Sequence, residues 1–70
     1  MRVETHKFVA AHGKRPEGFG RWAFEMTGRT QTSGVTFKTT WWDTGNFAMS
    51  ALRALRQARE TGATTVRVLG

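Results

Sequence analysis

Residues 43–62, DTGNFAMSALRALRQARETG, shift the spacing of apolar residues from two to 3.6, so a helix is predicted here between stretches that read as strands. Asp43, Thr44 or Asn46 can accept the first free amide hydrogens, and Gly62 can end the helix after roughly four turns. On a wheel advancing about 100° per residue, Phe47, Ala48, Ala51, Leu52, Ala54, Leu55 and Ala58 fill one arc. Ser50, Arg53, Arg56, Gln57 and Glu60 fill the other, with Met49 on the polar side and Arg59 at the rim. The many alanines suit close packing on a sheet with bulky side chains.

Upstream, VTFKTTWW (35–42) and RWAFEM (21–26) alternate with the period of strands. Trp22, Phe24, Met26, Phe37 and Trp41 are predicted to face the core, while Lys38 and Trp42 have the opposite parity. The polar stretch TGRTQTSG (27–34) reads as the loop between them, and HKFVAAH (6–12) as an earlier strand. Downstream, TTVRVLG (64–70) predicts a last strand with Val66 and Val68 buried. The expected fold is a single α+β domain over residues 1–70, in the order β-β-β-α-β. It comprises a three-stranded antiparallel meander plus a C-terminal strand, with one helix packed on one sheet face. The strand–helix–strand connection at its end is expected to be parallel.

A chain of 70 residues buries only about 60% of its unfolded surface and has little stability to spare. Without cysteine it has no disulfide, thiol nucleophile or cysteine-held zinc, and a cytoplasmic location is the default expectation. No apolar run spans a bilayer, and the charges in MRVETHKFVA (1–10) are unlike a signal peptide. Eleven Lys and Arg against five acidic residues give a net charge of +6, which concentrates polyanions around the molecule. DNA or RNA is therefore the first partner to consider.

HGKRPEGFGRW (12–22) carries three glycines, a proline and three Lys or Arg residues. It contains neither a Walker loop nor a dinucleotide fingerprint. It reads instead as a hairpin bend, from which Lys14, Arg15 and Arg21 can reach a phosphate backbone. His6 and His12, six positions apart on a strand, would stand about 20 Å from each other, too far to share a proton or a metal ion. No metal or other cofactor is expected. Trp42 beside Lys38 on an open face would pair an aromatic with a cation, as single-stranded nucleic-acid platforms do. Arg53 and Arg56 add charge on the helix.

HGKRPEGFGRWAF (12–24), TGN (44–46) and ALRALRQARETGATTVRVL (51–69) together resemble the N-terminal half of the ribonuclease H-like fold. Enzymes of that family hold metal ions with an Asp ending strand one, a Glu on the first helix and an Asp ending strand four. Here His12 lies near the first place and Phe47 or Ala48 near the second, and the sequence reaches Leu69 and Gly70 without the third. The resemblance thus implies a scaffold without nuclease activity, because two-metal chemistry needs clustered carboxylates. RPEGFGRWAFEM (15–26) and VTFKTTWWDTGNFAMSALRALRQAR (35–59) also resemble the plant ethylene-response DNA-binding domain, a three-stranded sheet and helix. That family reads DNA with Arg and Trp on its exposed sheet, and Arg21, Lys38 and Trp42 would correspond, although that domain has no fourth strand.

The expectation is a small non-enzymatic nucleic-acid-binding domain that uses Lys14, Arg15, Arg21, Lys38, Trp42, Arg53 and Arg56. The alternative is a protein-binding accessory module, such as a phage-type inhibitor, on a truncated ribonuclease H-like scaffold. Its exposed strand edge would take a partner's strand or a second copy.

Overall fold

The computed structural model describes residues 1–69. The elements run β1 (Val3–Glu4), α1 (His6–His12), β2 (Phe19–Arg29), β3 (Thr36–Asn46), α2 (Phe47–Thr61) and β4 (Ala63–Val68). The strands form one mixed sheet in the order β1-β4-β2-β3. Gly70, the last residue of the expected final strand, lies outside the described residues.

The fold is α+β, but the first third of the expected order is wrong. His6–His12 is a helix and not a strand. Lys7, Ala10 and Ala11 are good helix formers, Phe8 and His12 stack one turn apart with ring centroids 4.2 Å from each other, and Gly13 ends the helix at φ 72°. None of the seven residues is fully buried and Phe8 packs on the core only in part, whereas a central strand buries a whole face. HGKRPEGFGRW is accordingly the connection from α1 into β2 and not a hairpin bend. Pro16 within it is buried, and Gly18 takes φ 80°.

With no strand from this segment there is no three-stranded meander of consecutive strands. β2 and β3 instead form a two-stranded hairpin paired from Phe19↔Asn46 to Arg29↔Thr36. β2 runs past both of its expected ends and β3 past its C-terminal one, because Phe19 to Trp22 pair with Asn46 to Asp43 and Thr27 and Arg29 pair with Lys38 and Thr36, leaving residues 30–35 as the loop. The Thr30 hydroxyl accepts from the Val35 N–H at 3.1 Å and closes that loop. β4 pairs antiparallel with the other edge of β2, which makes it parallel to β3. The β3–α2–β4 connection is thus a parallel crossover with β2 lying between its two strands. β1 adds two residues parallel to β4.

α2 starts and stops where its sequence dictates. The Asn46 side chain accepts from the Ala48 N–H at 3.0 Å, and Gly62 caps the other end at φ 80°. Asp43 and Thr44, the other candidate caps, belong to β3. The buried arc, however, is rotated from the predicted one: Ser50, Ala54 and Ala58 are buried, whereas Ala48 is exposed and Leu52 is 62% exposed. Arg53 explains the rotation. Its guanidinium bonds Asp43 of β3 at 2.6 and 2.9 Å and Ser50 Oγ at 3.4 Å, drawing the Ser50 side of the helix onto the sheet.

Phe24, Met26, Val66 and Val68 meet Ala54, Ala58 and Ala63 in the core, with Trp22, Phe37, Trp41, Phe47 and Leu55 packed around them. Burial of each large apolar side chain contributes about 1.5–3 kcal/mol. At Gly28 the chain turning from α2 into β4 comes so near that a Cβ would sit 2.8 Å from the Gly62 carbonyl oxygen and 2.9 Å from Ala63 Cα. Only glycine permits that approach.

Candidate nucleic-acid interface

Strict alternation along β2 and β3 sorts their side chains onto two faces. Phe24, Met26, Phe37, Trp41 and Asp43 face α2, whereas Arg21, Ala23, Glu25, Thr27 and Arg29 share the opposite face with Thr36, Lys38, Thr40, Trp42 and Thr44. Arg67 and Thr65 of β4 join the second set opposite Glu25 and Thr27. The five β3 residues of that set are all exposed. This is the open face.

Trp42 is 55% exposed, and the Arg21 guanidinium carbon stands 4.6 Å from its ring centroid. This is a cation–π pair made at the surface. Both side chains border a shallow groove with Phe8 and His12 of α1, Ala23 and Leu69. α1 thus edges the open face at its β4 end. Phe8 also packs on Trp22, at 5.8 Å between centroids, and Trp22 donates its indole N–H to the Gly45 carbonyl at 3.0 Å. These contacts fix the base of the groove.

Lys38 extends the positive character along β3, and Arg67 adds to it from β4. Arg67 donates to the Glu25 carboxylate, and that hydrogen bond holds Glu25 below its ordinary range, with Lys38 and Lys7 lowering it further. Glu25 is the acid at the centre of the open face, where Arg21, Arg29, Lys38 and Arg67 outnumber it.

The expected site residues divide into three groups. Arg21, Lys38 and Trp42 come together on the open face. Lys14 and Arg15 are exposed on the α1–β2 connection, where Arg15 lines a different shallow cleft with Arg2, Glu4 and His6. Arg53 and Arg56 lie on α2, which packs on the other side of the sheet. Arg53 is committed to Asp43, whose carboxyl is lowered by the Arg53 hydrogen bond first and by Ser50 second. Gly45, beside the Arg53 guanidinium, takes φ 151°, a backbone conformation that favours glycine. The role of Arg53 is to seat α2 on β3.

Arg29 and Arg67 of the open face were missed in the sequence. Arg67 was legible, since it alternates between the buried Val66 and Val68. Arg29 was not, because it sat in a stretch that reads as loop. The histidines, now about 9 Å apart along a helix rather than about 20 Å along a strand, still do not converge. His6 Nδ1 lies 2.8 Å from a Glu4 carboxylate oxygen, and His12 stacks on Phe8. Among the described residues no three His, Asp or Glu side chains are grouped to hold a metal ion, and no helix is long and apolar enough to cross a membrane. No protein-family model matches the chain, and no curated protein or solved structure matches it.

Proposed function

We propose that this domain binds nucleic acid across the open face of its sheet, as a binding module that makes and breaks no covalent bond. The observation that carries the reading is the Arg21–Trp42 pair on the exposed face, continued by Lys38 and flanked by Arg29 and Arg67. A base stacks as a third layer on the guanidinium and indole planes, an arrangement that tolerates sequence because every base has a π face. The free cations neutralise the phosphates on either side, so affinity falls with added salt. A single strand fits this arrangement better than a duplex, whose bases are already stacked. Lys14 and Arg15 extend the contact as a second basic patch.

Titration of labelled single-stranded and duplex oligonucleotides at two ionic strengths tests this reading. Trp42→Ala is expected to weaken single-strand binding by about 1–3 kcal/mol. The double variant Arg21→Glu, Lys38→Glu is expected to weaken binding to all sequences alike and to flatten its salt dependence. An affinity indifferent to salt, or no binding at low salt, rejects the proposal. The second reading, a protein-docking accessory module on a truncated ribonuclease H-like scaffold, is favoured by one observation: the outer edge of β3 has no neighbouring strand among the described residues.

A further inference from the structure

We infer that β3 is the seam of a homodimer, in which two copies pair this strand antiparallel about a twofold axis at Trp41. The inference rests on the backbone of the sheet edge and does not depend on the nucleic-acid reading.

The two outer strands of the sheet are very unequal. β1 has two residues, whereas β3 has eleven, matched one for one with β2 and therefore without a bulge. It also lacks proline. Bulges, prolines and short length are the usual means of keeping a sheet edge from pairing with another chain. β3 uses none of them; its charged residues are Lys38 and the inward-facing Asp43, whose charge is met by Arg53 within the same copy.

The groups it offers can be identified. The Phe47 N–H donates to the Gly18 carbonyl and the Thr30 N–H to the Val35 carbonyl, both at 2.8 Å, just beyond the two ends of the hairpin. These bonds set the phase of the ladder: odd-numbered residues of β3 bond to β2. The N–H and C=O groups of Thr36, Lys38, Thr40, Trp42 and Thr44 therefore point to the free edge, together with the N–H of Asn46, whose carbonyl is taken by the first turn of α2. Outward pairing can use all of them without disturbing β2.

Full overlap of two β3 strands pairs Thr36 with Asn46, Lys38 with Thr44, and Thr40 with Trp42 of the second copy. On the α2 side it sets Trp41 against its own counterpart, Phe37 against Gly45 and Thr39 against Asp43. No like charges meet, and Trp41 against Trp41 falls at a non-hydrogen-bonded position, where side chains approach most closely. A slip of one two-residue step, to a twofold at Thr40, would set Phe37 against Asp43. A twofold at Lys38 would oppose two ammonium groups. The strand is thus complementary to itself in the register that also buries most edge. The product is an eight-stranded sheet with both α2 helices on one side and both Arg21–Trp42 pairs on the other.

Sedimentation velocity on the full chain, from micromolar concentrations to about 1 mM, tests the seam. Because each copy carries +6, dimerisation should tighten with added salt, opposite in sign to nucleic-acid binding, so failure of one reading is distinguishable from failure of the other. Thr40→Pro removes an outward N–H and spares the β2 ladder, and it should give a monomer with an unchanged far-ultraviolet circular dichroism spectrum. Should that variant unfold, Thr44 decides. Thr44→Lys, placed against Lys38 of the second copy, should weaken the dimer about three- to tenfold, and Thr44→Glu should strengthen it. A chain that stays monomeric at about 1 mM in high salt overturns the inference. A dimer unmoved by a folded Thr40→Pro, or Thr44→Lys and Thr44→Glu acting in the same direction, does so too.

Discussion

Trp41 and Trp42 are neighbours in the chain and stand on opposite faces of the same hairpin. Trp41 is half-buried beneath α2, with Phe24 at 6.1 Å between ring centroids, whereas Trp42 is 55% exposed with the Arg21 guanidinium stacked on its ring. A strand spends every second residue on each face, so in a domain of this size one face must supply nearly all the cohesion. The α2 face does so, which leaves the open face free to carry cations and an indole that contribute little to folding. Stability and recognition are thereby separated residue by residue along β2 and β3.

Substitutions can break or sharpen that separation. The largest effect is expected at Phe24, fully buried on the α2 face: Phe24→Ala should cost about 3–5 kcal/mol in chemical denaturation, enough to leave so small a domain largely unfolded. The tryptophan pair gives the sharper contrast. Trp41→Ala, half-buried, should cost about 2 kcal/mol, and Trp42→Ala no more than about 1 kcal/mol, the size of its cation–π contact. Equal losses at the two positions would mean that the faces are not functionally distinct.

The smallest effect is a titration, and it places one acid on each face. Asp43 on the α2 side and Glu25 on the open side both have folded values below their ordinary 3.8 and 4.5. Their contribution to stability is complete above those ordinary values and is lost as pH falls through the lower folded ones, because the unfolded chain then binds protons more readily. Urea midpoints measured downward from pH 6 should show a decline that Asp43→Asn and Glu25→Gln each reduce in part. Asp43→Asn should also loosen α2, since Arg53 loses its carboxylate partner.

Much of this arrangement was legible in the sequence for local reasons. The end of α2 is written in Gly62 and its start narrows to three candidate caps, of which Asn46 is the one used, and the opposite fates of Trp41 and Trp42 follow from strand parity alone. Burial of Val66 and Val68 likewise follows from alternation. What was not legible depends on contacts between distant segments. Seven residues of HKFVAAH satisfy strand and helix patterns alike, and the choice came from the Phe8–His12 stack and from β4 and β2 pairing with each other directly. The rotation of α2 was hidden because Ser50 looks like a surface residue until Asp43 and Arg53 are brought beside it. Of the candidate site, Arg21, Lys38 and Trp42 were recoverable from strand parity, whereas Arg29 was hidden in a stretch that reads as loop. Parity carries information only inside a ladder.

The meagre anchorage of the first twelve residues has a consequence for the groove. Two rungs of β1, with Val3 and Phe8 packed on the core in part, hold this segment down, so its detachment costs less than unfolding the sheet. Native-state amide exchange should therefore be two-tiered, with faster deuteration through residue 12 than along the middle of β2. One wall of the groove, Phe8 and His12, would then be carried by the part of the chain that opens first.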